Sequence, residues 1–121
     1  GLLPGSNSYG AYSLGIKRDF EPIKAKYLYI FTTDENDRSL SKISNKLDES
    51  EFIILQTSYE NIISQKADVI IPSLTWAERS GSYTNLEGIK QNINRSITPP
   101  PEIKEDREVM INLAEKLGTS L

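Results

Sequence analysis

Three short, unbroken apolar runs punctuate the chain: YLYIF at 27–31, FIIL at 52–55 and VII at 69–71. Runs rich in β-branched and aromatic residues, continuous and not alternating, predict strands buried on both faces. Between the first two, Leu40, Ile43 and Leu47 recur at helical spacing, which predicts a helix over residues 39–46 with one buried stripe. After the second run, TSYE at 57–60 has the spacing of a capping box, the Thr57 hydroxyl meeting an N3 amide and Glu60 reaching back. A helix begun there buries Tyr59, Ile62 and Ile63 and ends near Lys66. Strand, helix, strand, helix, strand is the order of βαβ crossovers in a mainly parallel sheet, so the chain reads as a single α/β domain with its core and central loop over 24–93.

The third run stops at Pro72, and the next twenty residues are polar, aromatic and glycine positions that suit a surface. Within them, Thr84 and Asn85 ahead of Glu87-Gly88 fit a tight turn, because Asn tolerates left-handed geometry and Gly lacks the Cβ penalty. Residues 89–93 alternate apolar and polar side chains and predict an edge strand. Pro99, Pro100 and Pro101 predict an extended link over the start of 99–121. A closing helix follows, with Asp106 as its cap, Val109, Leu113 and Leu117 on one face, Lys116 suited to the last turn and Gly118 at C′. Residues 1–20 are rich in Gly, Ser, Tyr and Asn without a clean period, and read as an irregular arm packing Leu2, Leu3, Tyr9, Tyr12 and Leu14.

Composition narrows the chemistry. The 121 residues contain no Cys and no His, which removes thiolate metal sites, disulfides, Cys nucleophiles and His-based triads from this chain. With 37% hydrophobic and 26% charged residues it reads as a globular domain, and no apolar run approaches the ~18 residues of a spanning helix. The net charge of −3 argues against nucleic acid or an anionic membrane as partner. No signal peptide is recognisable and no initiator Met is present, so the expectation is a cytoplasmic piece of a longer chain, without direct membrane insertion.

Candidate chemistry is sparse. Asp34, Glu35 and Asp37 crowd together after the first strand, where they suit a metal pocket or, more simply, a solvated turn with Asp37 or Ser39 capping the next helix. Glu78 and Arg79 suit either the orientation of a substrate or a solvated face; Trp76 suits a partly buried anchor or, if exposed, an interface hot spot. A receiver-type signalling domain needs a phosphoacceptor Asp at the end of the third strand, where this chain has Pro72 and Ser73. No residue is assigned a catalytic or metal-binding role.

ADVIIPSLTWAERSGSYTNLEGIKQ (67–91) closely resembles a segment of the molybdopterin oxidoreductase family, matching it through Ala67, Asp68, Pro72, Glu78, Gly81, Thr84, Asn85, Glu87, Gly88 and Gln91. NSYGAYSLGI (7–16), FIILQTSYENIISQKADVIIP (52–72) and the tail from Pro99 to Gly118 are similar to the family's flanking stretches. The resemblance implies a Rossmann-like, three-layer α/β domain of a much larger oxidoreductase chain whose iron–sulfur clusters lie elsewhere. The Glu87-Gly88 version is most similar to the NADH-quinone oxidoreductase branch, the large iron–sulfur subunits of respiratory complex I. That branch implies a scaffold domain of an electron-transfer complex, without cofactor of its own, with neighbouring oxidoreductase subunits as partners and a peripheral place at the inner membrane face. The formate dehydrogenase branch implies instead a domain that holds molybdopterin guanine dinucleotide. Carried over residue by residue, such a site would involve Thr32, Thr33, Gln56, Thr57, Thr84 and Asn85. Two departures weigh against retention: acids follow the first strand, where they repel a pyrophosphate, and Ile89 stands where the family has an Arg. A stand-alone interaction module descended from such a domain is the third reading.

Overall fold

The computed structural model describes residues 7–16, 25–32 and 37–119. In chain order the elements are α1 (Ser8–Ser13), β1 (Tyr27–Thr32), α2 (Asp37–Ser44), β2 (Phe52–Thr57), β3 (Val69–Pro72), β4 (Gly81–Thr84), β5 (Lys90–Ile93) and α3 (Asp106–Lys116). β1, β2 and β3 form a parallel sheet in that order, with Tyr29 opposite Ile54 and Ile54 opposite Val69. β4 and β5 form a separate antiparallel hairpin. The α/β reading and its parallel sheet therefore hold.

The pleat divides the sheet into two faces. On one, Ile30, Ile53 and Leu55 pack with Leu40 and Leu47 from α2 and its C-terminal turn and with Ile63, forming the buried core; Ile43 and Ile62 lie half-buried against it. On the other face Gln56 reaches Asp106, so α3 begins over that side. The register of β3 is set by Asp68, whose carboxylate accepts the Ile53 N–H at 2.8 Å while its own N–H donates to the Ile53 carbonyl at 2.9 Å.

Several expectations are corrected. The strands are not buried on both faces: Tyr27 is 73% exposed, Phe31 45%, and Val69 and Ile70 are also exposed. Among the described residues β1 and β3 are the two edges of a three-stranded sheet, and only β2 has neighbours on both sides. No helix connects β2 to β3. Thr57 is the last residue of β2, and its hydroxyl donates to the Tyr59 carbonyl rather than capping a helix. The chain then turns at Asn61, whose Oδ1 accepts the Ile63 N–H at 2.9 Å. Glu60 and Tyr59 are exposed, while Ile63 is buried as expected. The local hydrogen bonds of Thr57 and Asn61 outcompeted the helix.

The arm around 7–16 is helical over α1, but Tyr9, Tyr12 and Leu14 are exposed instead of packed; Leu2 and Leu3 lie outside the described residues. α1 is held by polar contact. Asn7 Oδ1 accepts the Thr84 N–H at 2.8 Å, and a Cβ on Gly10 would lie 2.7 Å from that oxygen and 3.1 Å from Thr84 Oγ1. The central loop is also more regular than its sequence suggests, because residues 81–84 form β4 against β5, the strand expected over 89–93.

In the tail, the Ile103 N–H donates to the Pro100 carbonyl at 3.1 Å, so a turn interrupts the proline link. α3 ends as expected: Gly118 has φ +71°, its N–H bonds the Glu115 carbonyl and the Thr119 N–H bonds the Ala114 carbonyl, which is a Schellman closure. Leu117, expected on the packed face, is exposed, and Ala114 is buried in its place. α2 starts at Asp37; residues 33–36 of the acidic turn, Thr33 among them, lie outside the described residues.

Candidate functional site

In an open parallel sheet, ligands gather beyond the carboxyl ends of the strands. Here those ends are Thr32, Thr57 and Pro72, and two polar clusters form beside them on opposite faces of the sheet.

On the core side, Thr32 and Thr57 lie side by side. The Thr32 hydroxyl donates to Thr57 Oγ1 at 2.9 Å, and both side chains are buried. Asn61 closes the group: its Nδ2 lies 3.2 Å from each of Thr32 Oγ1, Thr57 Oγ1 and the Tyr59 carbonyl, and its N–H donates to Ser64 Oγ at 3.0 Å. The side-chain oxygens at the ends of β1 and β2 thus already have partners within the chain.

On the other side the hub is Asp106, in the first turn of α3. Gln56, completely buried, donates from Nε2 to Asp106 Oδ1 at 2.9 Å and accepts the Tyr29 hydroxyl on its own carbonyl. The buried Ser73 donates to the same carboxylate oxygen at 2.6 Å. Arg79 Nη1 donates to Asp106 Oδ2 at 3.0 Å, forming an ion pair with both side chains largely buried. Asp106 was expected to cap α3, but the cap residue is Glu105, without a side-chain cap bond, and the Asp106 side chain turns to the sheet. Burial, and then the negative charge of Asp106, push the Tyr29 hydroxyl above the ordinary tyrosine range.

Arg79 is anchored apart from Asp106. Its Nη2 donates to the Leu74 carbonyl, and its Nε donates to the Thr75 carbonyl at 3.3 Å. Glu78 closes the turn it ends: its carboxylate accepts the Thr75 N–H and the Thr75 hydroxyl, each at 2.8 Å. Those bonds, the backbone one first, hold the Glu78 carboxyl below its usual value. Glu78 and Arg79 therefore build the turn after β3. Trp76, at the tip of that turn, is 61% exposed and not a buried anchor.

Thr84 and Asn85 belong to the hairpin. Asn85 Oδ1 accepts the Glu87 and Ile89 N–H groups at 3.0 and 2.8 Å, and Gly88 takes φ +82°, the turn that the Asn…Gly spacing predicts. Of the six carried-over positions, the structure brings Thr32 and Thr57 into contact and puts Gln56 on the opposite face. It places Thr84 and Asn85 on the hairpin; Thr33 is outside the described residues. Sequence reasoning did not single out Asn61 or Tyr29, and it gave Asp106 a different role. The only local signal was the Asn-x-x-Ser spacing of Asn61 and Ser64, a turn signature hidden inside an apparent helix.

Fold and site together define an open parallel α/β domain with paired polar clusters at its strand ends. The family profile described as molybdopterin oxidoreductase matches residues 5–116, and the chain belongs to that family. Relatives include the F420-dependent formate dehydrogenase subunit alpha of Methanocaldococcus jannaschii, 34% identical over 95 residues, covering 77% of this chain and 14% of that protein. The mitochondrial NADH-ubiquinone oxidoreductase 78 kDa subunit of Candida albicans is 32% identical over 99 residues, covering 81% of this chain and 13% of the relative. An NADH-quinone oxidoreductase subunit from Rickettsia bellii is 40% identical over 68 residues, or 56% of this chain and 10% of the relative. The chain thus corresponds to about one seventh or less of the length of each. Both the NADH-quinone oxidoreductase and the formate dehydrogenase readings of the sequence are compatible with these relatives.

Proposed function

We propose that this chain is a scaffold domain of an oxidoreductase akin to the large iron–sulfur subunit of NADH-quinone oxidoreductase, contributing packing rather than a cofactor site to an electron-transfer complex. One observation carries this reading: the polar groups at the strand ends bond one another. Thr32, Thr57 and Asn61 form one closed set, and Gln56, Ser73, Arg79 and Asp106 another. These mutual bonds weigh against a pterin dinucleotide at the described positions. Among the described residues no buried side-chain nitrogen or oxygen lacks a partner to offer a ligand. Asn85 is engaged in its own turn, and the exposed Ile89 supplies no phosphate clamp.

The apolar edges support a packing role. Parallel sheets are ordinarily covered on both faces, and exposed Tyr27, Phe31 and Val69 suit coverage by other domains of the parent chain or by neighbouring subunits. Iron–sulfur clusters then belong to the parent and not to this chain, which contains no Cys. No helix among the described residues is long and apolar enough to cross a membrane, and the location proposed is cytoplasmic, peripheral through the complex.

The similarity to a formate dehydrogenase alpha subunit favours a second reading, in which Thr32, Thr33, Gln56, Thr57, Thr84 and Asn85 hold molybdopterin guanine dinucleotide. Calorimetric titration of the chain with GDP separates the two. The scaffold reading expects no saturable heat, and micromolar binding lost in Thr57→Val would establish the nucleotide reading.

A further inference from the structure

Three donors from three segments converge on the Asp106 carboxylate: Gln56 Nε2 from β2, Ser73 Oγ from beyond β3, and Arg79 Nη1 from the turn. Each is held in place by contacts that do not involve Asp106. The Tyr29 hydroxyl orients the Gln56 amide, and the Ser73 N–H is tied to the Thr57 carbonyl at 2.9 Å. The Arg79 guanidinium is fixed by the Leu74 and Thr75 carbonyls, with Ser58 Oγ at 3.5 Å from Nη2. Gln56 and Ser73 are buried, so these are not surface groups that happen to meet a counter-ion. Asp106, by contrast, arrives on a segment whose approach is open to solvent, with Pro101, Glu102, Lys104 and Glu105 all exposed. One guanidinium, one hydroxyl and one amide N–H aimed at two oxygens is the donor set that recognises a carboxylate or phosphate group.

We propose that Gln56, Ser73 and Arg79 form a preorganised site for a small oxyanion, which Asp106 fills in cis, so that α3 is a releasable plug. The tethered carboxylate competes at an effective concentration in the millimolar range or above, so the wild-type chain binds free anion about tenfold or more weakly than a chain lacking it. This inference concerns one of the two polar sets that support the scaffold reading, and it is tested on inorganic anion, whereas that reading is tested on metal and nucleotide.

The test is thermal unfolding of wild type, Asp106→Ala and Asp106→Ala/Arg79→Met in inorganic phosphate or acetate, against chloride at matched ionic strength. The expected result is a saturable rise in Tm for Asp106→Ala alone, lost with Arg79→Met and reduced at least severalfold in wild type. Preference for phosphate or acetate tells which oxyanion the geometry favours. Equal shifts in chloride, or a shift that survives Arg79→Met, would be a general salt effect and would overturn the proposal. If Asp106→Ala does not fold, phosphate titration of the wild type, followed by the Arg79 Nε–H resonance, takes its place. A saturable displacement together with loss of amide protection in α3 supports the plug, and an unmoved resonance with unchanged protection overturns it.

Discussion

Asn61→Ala is the sharpest perturbation of the strand-end structure, because one side chain joins β1, β2 and the turn that replaced the expected helix. Its Oδ1 accepts the Ile63 N–H at 2.9 Å, and its two Nδ2 protons face three acceptors at 3.2 Å. Two protons serve at most about two full bonds, and Thr57 still donates to Tyr59, so roughly three hydrogen bonds are lost. At about 0.5–1.5 kcal/mol each, with the Ile63 N–H left without its partner, the cost is about 2–4 kcal/mol. Asn61→Asp separates the parts. It keeps the acceptor for Ile63 but cannot donate when ionised, so it isolates the loss of the Nδ2 bonds, roughly two of the three. Urea unfolding measures both, and an unchanged m-value identifies a change in stability rather than in compactness. A cost below about 0.5 kcal/mol for Asn61→Ala would place Asn61 among ordinary surface residues and refute the reasoning. An Asp variant as damaging as the Ala variant would show that the lost donors, with a carboxylate oxygen now facing the Tyr59 carbonyl, outweigh the retained Ile63 bond.

The remaining predictions probe other contacts. Gly10→Ala should gain up to about 1 kcal/mol of helix propensity yet destabilise the docking of α1, since its Cβ would meet Asn7 Oδ1 at 2.7 Å and displace it from Thr84. Faster hydrogen exchange at the Thr84 amide checks this, and a more protected Thr84 would contradict it. Because the Glu78 carboxyl lies below its unfolded value, its contribution is present above the ordinary carboxylate range and lost as pH falls through the folded pKa. Urea midpoints for Glu78→Gln should therefore decline less on acidification than those of wild type. Tyr29 is displaced upward, so its contribution is complete below the ordinary tyrosine range and lost as pH rises above it; Tyr29→Phe should abolish that alkaline loss.

Much of the fold was legible because apolar runs report burial, and β2, with Ile53 and Leu55 buried, is the centre of the sheet. The runs could not report how many neighbours each strand has. YLYIF has the pattern of a central strand, yet in this chain it is an edge with Tyr27 and Phe31 exposed. The helix after β2 was misread because Thr57 and Asn61 make side-chain bonds to nearby backbone that compete with helix formation, and propensity and spacing do not distinguish the outcomes. Asp106 shows the same ambiguity at a helix start: Asp there serves either its own backbone or a distant partner, and Gln56, Ser73 and Arg79 were the stronger claim. The hairpin turn was readable from Asn85 and Gly88 because its stabilising bonds are local. Contact between α1 and β4 was not readable, since Asn7 and Thr84 are seventy-seven residues apart.

The proposed scaffold role, with the strand-end groups engaged by one another, is decided by metal and pterin analysis of the protein purified at its natural length. A scaffold domain is expected to release no molybdenum, tungsten or pterin on denaturation; stoichiometric metal accompanied by a guanine dinucleotide pterin would overturn that role.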